Sequence, residues 1–106
     1  MQAETLEMKK TINGNEVRFT IKGRISSSTS YKFSNELKAA LFLGQNKIIL
    51  DMSDVQFLSS LGIRSILSTY KQTQATGGQF YIVNPSTHVQ NVLGMAALNA
   101  MLLEER

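Results

Sequence analysis

The chain has 106 residues, a net charge of +3 at pH 7 and no cysteine. A chain of this length supports one hydrophobic core, so we expect a single domain over residues 1–106, with residues 1–4 frayed. The lack of cysteine excludes disulfides, thiol catalysis and cysteine-ligated metals, and no apolar run approaches a membrane span or a signal core; we therefore expect a cytoplasmic protein without membrane insertion.

The first predicted element is an antiparallel hairpin. Residues 6–12 alternate weakly between apolar and polar side chains, and residues 17–21 alternate strictly. Asn13-Gly14 between them is typical of a hairpin turn, because both residue types tolerate positive φ. Gly23-Arg24-Ile25 ends the second strand.

A serine-rich loop and a helix come next. Residues 26–30 are four serines and one threonine, and we interpret them as a loop that ends in a helix cap. Gly44 is the predicted helix stop. The apolar positions between them share one helical face: Phe33, Leu37, Ala40 and Leu41.

The most informative stretch is a strand followed by a loop and a second helix. Residues 47–51 predict a buried strand, and Asp51 and Ser53 favour the turn that ends it. A helix is predicted over about 60–75, closed by Gly77-Gly78. Its predicted buried face consists of Leu61, Ile63, Ile66, Leu67 and Tyr70.

The C-terminal part completes an α/β pattern. Residues 80–83 predict a fourth strand, which Asn84-Pro85-Ser86 terminates. Ser86 or Thr87 can cap a third helix, and residues 97–103 predict a last helix or turn. The face of the third helix is formed by Val89, Val92, Leu93 and Ala96. The order β-β-α-β-α-β-α(-α) predicts a small mixed sheet, antiparallel in its first hairpin and then parallel, covered by helices.

The residues do not predict an enzyme. A catalytic triad would need Ser60, His88 and either Asp51 or Asp54, but there is no Gly-x-Ser-x-Gly elbow, and a lone histidine at a helix start is usually a surface residue. With one histidine and no cysteine we expect no metal site, and no glycine-rich phosphate loop indicates a cofactor. Basic residues are dispersed without interleaved aromatics, so we also expect no nucleic-acid binding.

Ser59 and Ser60 lie at the predicted start of the second long helix. Either serine can be the helix cap, which is the usual role of serine there. The unpaired N–H groups of a helix start also stabilise an added negative charge, so a serine at this point is a suitable phosphate acceptor. Local chemistry alone favours the capping role.

The string Asp51-Met52-Ser53-x-Val55-x-Phe57-Leu58-Ser59-Ser60-Leu61-Gly62-Ile63 resembles the signature of the STAS family of anti-sigma-factor antagonists. The family pattern is approximately Asp-Leu-Ser-x-Val-x-Phe-Ile-Asp-Ser-x-Gly-Leu. The family's phosphorylated serine precedes the glycine by two residues, the place that Ser60 holds before Gly62. The resemblance extends over roughly residues 6–102 and is specific chiefly at 51–63.

The resemblance implies a switch protein. An unmodified domain of this kind binds an anti-sigma factor that is also a serine kinase, phosphorylation at Ser60 ends the interaction, and a serine phosphatase restores it. Ser59 is a second candidate acceptor. The implied contact surface is formed by the 53–62 loop, the following helix start and the Arg24–Thr29 loop, with these residues: Ser26, Ser28, Ser53, Asp54, Leu58, Ser59, Leu61, Gly62 and Arg64.

Two departures from the family pattern leave alternatives open. Ser59 replaces the aspartate before the family's phosphoserine, and Ser26 replaces an acidic residue near the first helix. Both changes make the loops less negative. A non-phosphorylated interaction scaffold or small-ligand module, as in lipid-transport or transporter-regulating complexes, is therefore the second function class, and a weak homodimer is a further alternative.

Overall fold

The computed structural model describes residues 5–103, with the exception of the Ala100 side chain, so the fraying expected for residues 1–4 lies outside the described residues. The predicted order of elements is confirmed. The elements are β1 (Leu6–Asn13), β2 (Glu16–Ile25), α1 (Ser30–Phe42), β3 (Lys47–Leu58), α2 (Ser60–Ala75), β4 (Gln79–Val83), α3 (Thr87–Met95) and α4 (Asn99–Leu102).

The four strands form one mixed sheet in the order β1-β2-β3-β4. β1 and β2 are antiparallel, whereas β2–β3 and β3–β4 are parallel, as the sequence predicts. α1 packs against α2 and β2, α2 also contacts β3 and β4, and α3 lies against β3. The centre of the core is made by fully buried side chains from both layers: Phe19, Ile21, Phe33, Leu37, Ile48, Leu50, Met52, Ile66, Phe80, Ile82 and Leu93.

The hairpin turn is displaced by one residue from its predicted position. Asn13 pairs with Glu16 as the last strand pair, so the two central turn residues are Gly14 and Asn15. Of these, Gly14 alone has a positive φ, at 64°. Positive φ at the first central position only is the pattern of a type II′ turn, which places glycine there.

β3 is much longer than predicted, and the expected 53–62 loop does not exist. The strand ends at Leu58 and α2 begins at Ser60, so Ser59 is the single residue between them. After Asp51 the strand stops pairing with β4 but continues along β2 as far as Leu58. The polar residues that indicated a turn are therefore strand residues, of which Ser53 is exposed and Asp51 is half-buried.

Two register shifts explain why the strand was hard to predict. Thr20 pairs with Asp51 but Lys22 pairs with Asp54, and a second shift follows Val55, so β3 carries an extra residue at each point. Each bulge breaks the two-residue alternation of a regular strand. As a result the buried positions of this half, Met52, Val55 and Leu58, are three residues apart, which does not read as a strand.

The helices bury somewhat different faces from those predicted. The buried positions of α2 are Gly62, Ile66, Thr69 and Thr73. Leu61 is 41% exposed, and Leu67 does not pack on the core. The threonines tolerate burial because each hydroxyl donates to a carbonyl one turn earlier, at 2.9 and 2.7 Å. In α3 Val89 and Leu93 are buried, whereas Ala96 is the exposed C-cap.

The serine-rich loop does not end in a side-chain cap. Thr29 is the N-cap of α1, yet its side chain makes no capping hydrogen bond. Its hydroxyl instead accepts from the Ser26 N–H at 2.9 Å and donates to the Arg24 carbonyl at 2.5 Å. The threonine therefore fixes the loop to the end of β2.

Candidate functional site

The junction between β3 and α2 separates the roles of its two serines. The Ser59 N–H donates to the Ile25 carbonyl at 2.8 Å, which extends the β2–β3 pairing by one residue. The Ser59 hydroxyl accepts from the Gly62 N–H at 3.2 Å, so Ser59 is the N-cap of α2. Of the two serines that could cap this helix, the structure thus uses the first.

Ser60 is the first residue of α2 and is exposed. Since the capping bond comes from its neighbour, the Ser60 hydroxyl is not needed to start the helix. Backbone N–H groups of the first helical turn have no partner within the helix and carry partial positive charge. The predicted acceptor therefore lies on the surface, at the electropositive end of a helix of 16 residues.

Gly62 brings the helix start close to the sheet. A Cβ atom at this position would lie 2.7 Å from Ile25 Cγ2 and 2.7 Å from Leu58 Cδ1. Both neighbours are buried in the core. The glycine of the motif is therefore a packing requirement that fixes where Ser60 is presented, rather than an exposed contact residue.

A shallow hollow of about 440 Å³ lies on the outward face of α2, and we name it the α2 hollow. Arg64 and Lys71 are the only charged side chains of this helix, and both line the hollow. No aspartate or glutamate among the described residues lines it. The remaining lining residues are Ser60, Ile63, Leu67 and Ser68. The hollow is thus apolar at its base and basic at its rim.

The loop after β2 borders the same junction, because Ile25 accepts the Ser59 N–H. Ser26 is buried, and its hydroxyl is 3.0 Å from the exposed Ser28 hydroxyl. Of the two loop serines predicted to contact a partner, Ser28 is accessible and Ser26 supports the loop from inside.

Ser53 and Asp54 lie in a different place, a hollow of about 520 Å³ between β3 and the start of α3, which we name the α3 hollow. Its other lining residues are Lys22, Val55, Gln56, Ser86, Thr87 and His88. The predicted contact surface is therefore divided. Ser60, Arg64 and the exposed Leu61 belong to α2, whereas Ser53 and Asp54 face the start of α3.

Sequence reasoning missed how strongly the start of α3 is fixed to β3. The Ser86 hydroxyl donates to the Val55 carbonyl at 2.6 Å while it also accepts the Val89 N–H as the N-cap of α3. The sequence indicated only that a lone histidine at a helix start is usually a surface residue, and it did not predict a structural contact for His88. His88 is half-buried, and its Nε2 accepts the Leu58 N–H at 3.0 Å. No local sequence signal marks this contact, which joins residues 30 positions apart.

His88 also belongs to a stack of side chains on the second half of β3. Its ring centroid is 5.4 Å from that of Phe57, and the Arg24 guanidinium lies 4.8 Å from the Phe57 ring centroid. A cation near an aromatic face is attracted to the ring. The stack connects the end of β2, the end of β3 and the start of α3, and so supports the strand end that precedes Ser59.

Asp51 is held by its own set of partners. Its carboxylate accepts from Arg18 at 3.2 Å, from the Asn84 amide at 3.3 Å and from the Ser53 N–H at 3.1 Å. Burial alone would raise the pKa of Asp51, but the hydrogen bonds from Ser53, Asn84 and Arg18 outweigh burial and hold that pKa below its usual range. Within the described residues no hydrogen bond connects Ser60 or His88 with either Asp51 or Asp54.

The interior residues of the predicted contact set are Ser26, Leu58 and Gly62, with Leu58 only 3% exposed. Because these residues are buried, they support the β3–α2 junction from inside and do not form its surface. Between residues 5 and 103 no group of three or more histidine, aspartate or glutamate side chains is arranged to hold a metal ion. Nor does any helix of this part of the chain have the length and apolar character needed to cross a membrane.

Comparison with known proteins assigns this domain to a family. The family model of the STAS domain matches residues 7–104. The chain therefore belongs to the STAS domain family, as the motif at 51–63 predicts.

The chain is similar to relatives and solved structures described as anti-sigma factor antagonists. BtrV of Bordetella bronchiseptica, named as a candidate anti-sigma factor antagonist, is 26% identical over 72 residues, which cover 68% of this chain and 62% of BtrV. A Thermotoga maritima protein of the same description is 34% identical over 59 residues, 56% of this chain and 52% of the relative. The chain thus matches less than two thirds of the length of these relatives.

The fold agrees with that of SpoIIAA, an anti-sigma factor antagonist. Its unphosphorylated form aligns with a TM-score of 0.78 at 21% identity, over 98% of this chain and 89% of SpoIIAA. Its phosphorylated form, from Bacillus, aligns with a TM-score of 0.71 at 20% identity, over 98% of this chain and 92% of SpoIIAA. These likenesses establish the fold, a four-stranded mixed sheet with its covering helices.

Proposed function

We propose that this domain is an anti-sigma-factor antagonist that acts by partner switching. In its unmodified form it binds an anti-sigma factor that is also a serine kinase; phosphorylation of Ser60 by that kinase ends the interaction, and a serine phosphatase restores it. One observation carries the proposal. Ser60 is exposed at the first position of α2 while Ser59 alone makes the capping bond.

The fold should tolerate a phosphate at Ser60. The group would lie beside the unpaired N–H groups of the first turn of α2, where a negative charge is stabilised by about 0.3–1 kcal/mol. It would displace no hydrogen bond that starts the helix, since Ser59 keeps the Gly62 N–H. The modified domain is therefore expected to be as stable as the unmodified one, or slightly more stable.

A phosphate on Ser60 should prevent binding to the partner. The surface around Ser60 includes the exposed Leu61 and the apolar base of the α2 hollow, which suits contact with a partner. A phosphate adds about two negative charges with their hydration shells, and burying these in an interface is costly. The phosphorylated and unphosphorylated forms in which SpoIIAA was solved make the same pair of states a reasonable expectation here.

The acceptor is tested by incubating the protein with ATP and candidate kinases of the anti-sigma type from the same genome. Intact-mass spectra should show one added phosphate in the wild type and in Ser59→Ala, and none in Ser60→Ala. A phosphate that persists in Ser60→Ala and disappears in Ser59→Ala would assign the acceptor to Ser59 instead.

The release step is tested by binding to the same kinases without ATP. Ser60→Asp should fold normally and lose binding. Asn91→Asp is the control, because Asn91 is exposed in α3 and lines neither the α2 hollow nor the α3 hollow. It adds the same charge to a helix surface outside the predicted contact residues and should bind like the wild type. Unchanged masses with every kinase, together with full affinity of Ser60→Asp, would favour the non-phosphorylated scaffold or ligand-binding class.

A further inference from the structure

The α2 hollow places a cation one helical turn from the proposed acceptor. Arg64 follows Ser60 by four residues, and both line the hollow. Side chains four residues apart on a helix are neighbours, with Cβ atoms about 5–6 Å apart. Within residues 5–103 Arg64 makes no ion pair, and it is exposed.

We propose that Arg64 pairs with the phosphate on Ser60. Through this pair, phosphorylation makes the Arg64 guanidinium at the rim of the α2 hollow unavailable to a partner. This inference rests on the proposed function. A phosphate offers three strong acceptor oxygens, and the planar guanidinium binds such a group through two parallel hydrogen bonds. In the unmodified protein Ser60 is neutral, and Arg64 remains available to an acidic group of the partner.

The charge arrangement favours this pair over its competitors. α2 has no aspartate or glutamate, so no carboxylate of the helix holds Arg64. Ser59, which caps α2, and Ser26, which follows β2, are neutral and place no carboxylate at the junction. The phosphate would thus be the strongest anion within reach of Arg64.

The pairing gives phosphorylation two effects on docking. It adds negative charge at Ser60, and it withdraws the rim cation nearest to that charge. An acidic partner surface that uses Arg64 would lose a favourable contact and meet a repulsive one at the same place. The α2 hollow is accordingly fitted to a partner with a carboxylate beside an apolar group.

Lys71 provides a matched control. It lines the same hollow and carries the same charge, but it lies 11 residues beyond Ser60. At a rise of 1.5 Å per residue this is about 16 Å along the helix axis, beyond the screening length of about 8–10 Å in physiological salt. If the phosphate pairs directly with Arg64, replacement of Lys71 should not change the pKa of the phosphate.

The test is a ³¹P NMR pH titration of protein that carries phosphoserine at position 60, installed during translation so that no kinase is needed. The second ionisation of phosphoserine ordinarily has a pKa of about 6. A neighbouring guanidinium favours the dianion, so Arg64→Gln should raise the midpoint by about 0.3–0.7 of a pH unit, as expected for an exposed ion pair. Lys71→Gln should leave the midpoint unchanged. Arg64→Lys keeps the positive charge, so its midpoint should lie between those of the wild type and Arg64→Gln.

An unchanged midpoint in Arg64→Gln would overturn the pairing, as would an equal shift in Lys71→Gln, which would indicate only the general charge of the protein. Because both residues are exposed, neither substitution should alter the fold, which the amide NMR spectrum checks. The titration is independent of the proposed function. If no kinase phosphorylates the protein, the proposed switch function fails. The titration midpoints still test whether Arg64 pairs with a phosphate on Ser60.

Discussion

Replacement of Gly62 by alanine tests the account of the β3–α2 junction most directly. In a helix that is free of close contacts, glycine to alanine stabilises by about 1 kcal/mol. At Gly62 the added methyl would lie 2.7 Å from Ile25 Cγ2 and 2.7 Å from Leu58 Cδ1. Since carbon atoms pack best at about 3.5–4.0 Å, each contact must open by about 1 Å.

The neighbours have little room to move. Ile25 is fully buried and branched at Cβ, and Leu58 is 3% exposed. Overpacking of this kind costs about 1–3 kcal/mol. The propensity gain is smaller in the first turn of a helix than in its middle, so we expect Gly62→Ala to lower the free energy of unfolding by about 1–2 kcal/mol. For a domain of this size, that corresponds to a fall in Tm of about 4–12 °C.

Urea unfolding followed by far-UV circular dichroism measures this change, and Gly94→Ala is the control. Gly94 is also helical, but its Cβ would meet only the exposed Asn99 side-chain nitrogen, at 3.3 Å. That end can move, so Gly94→Ala should be neutral or stabilise by up to about 1 kcal/mol. If Gly62→Ala is as stable as the wild type, the claim that glycine is needed for close approach is refuted.

Three further predictions concern single hydrogen-bonded groups. Ser59→Ala should lower the free energy of unfolding by about 1 kcal/mol through the lost cap, whereas Ser60→Ala should stay within about 0.5 kcal/mol of the wild type, both measured by urea unfolding. His88→Ala leaves the Leu58 N–H without its acceptor and should cost about 1–3 kcal/mol in the same assay; a change below 0.5 kcal/mol would contradict the assigned bond. Because the folded pKa of Asp51 is depressed, its stabilisation is present above the unfolded value of 3.8 and is lost as pH falls through the lower folded value. The stability difference between wild type and Asp51→Asn should therefore be constant above about pH 5 and shrink below 3.8; a difference that grows on acidification would contradict the depressed pKa.

The order of elements and the mixed sheet were predictable because each signal is local. Alternation over 17–21 and a glycine turn indicate a hairpin, and a strand–helix–strand order favours parallel strands, because parallel neighbours need a crossover connection. The bounds of α2 and β4 follow from Ser59 and Gly77-Gly78, whose conformational preferences act within a few residues.

The second half of β3 was not predictable, because its form is decided elsewhere in the chain. Its two bulges exist only in relation to β2, and the backbone groups freed from β4 are taken up by Ser86 and His88 from the start of α3. Similarly, the rotation of α2 follows from the closeness that Gly62 allows, which moves Leu61 outward. The motif identified Ser60 as the candidate acceptor. The contacts of Ser86, His88 and Gly62 that position it could be seen only in the structure.

The division of labour at the junction explains how one modification could act on binding without acting on the fold. If Ser60 were the cap, a phosphate on its hydroxyl would remove the bond that starts α2, at a cost of about 1 kcal/mol, and would loosen the surface that it also charges. In this chain the capping bond belongs to Ser59, and the strand end before it is held by His88. A charge at Ser60 therefore changes the electrostatics of a surface whose geometry is set by its neighbours, and any loss of docking on phosphorylation has to come from charge and hydration rather than from unfolding.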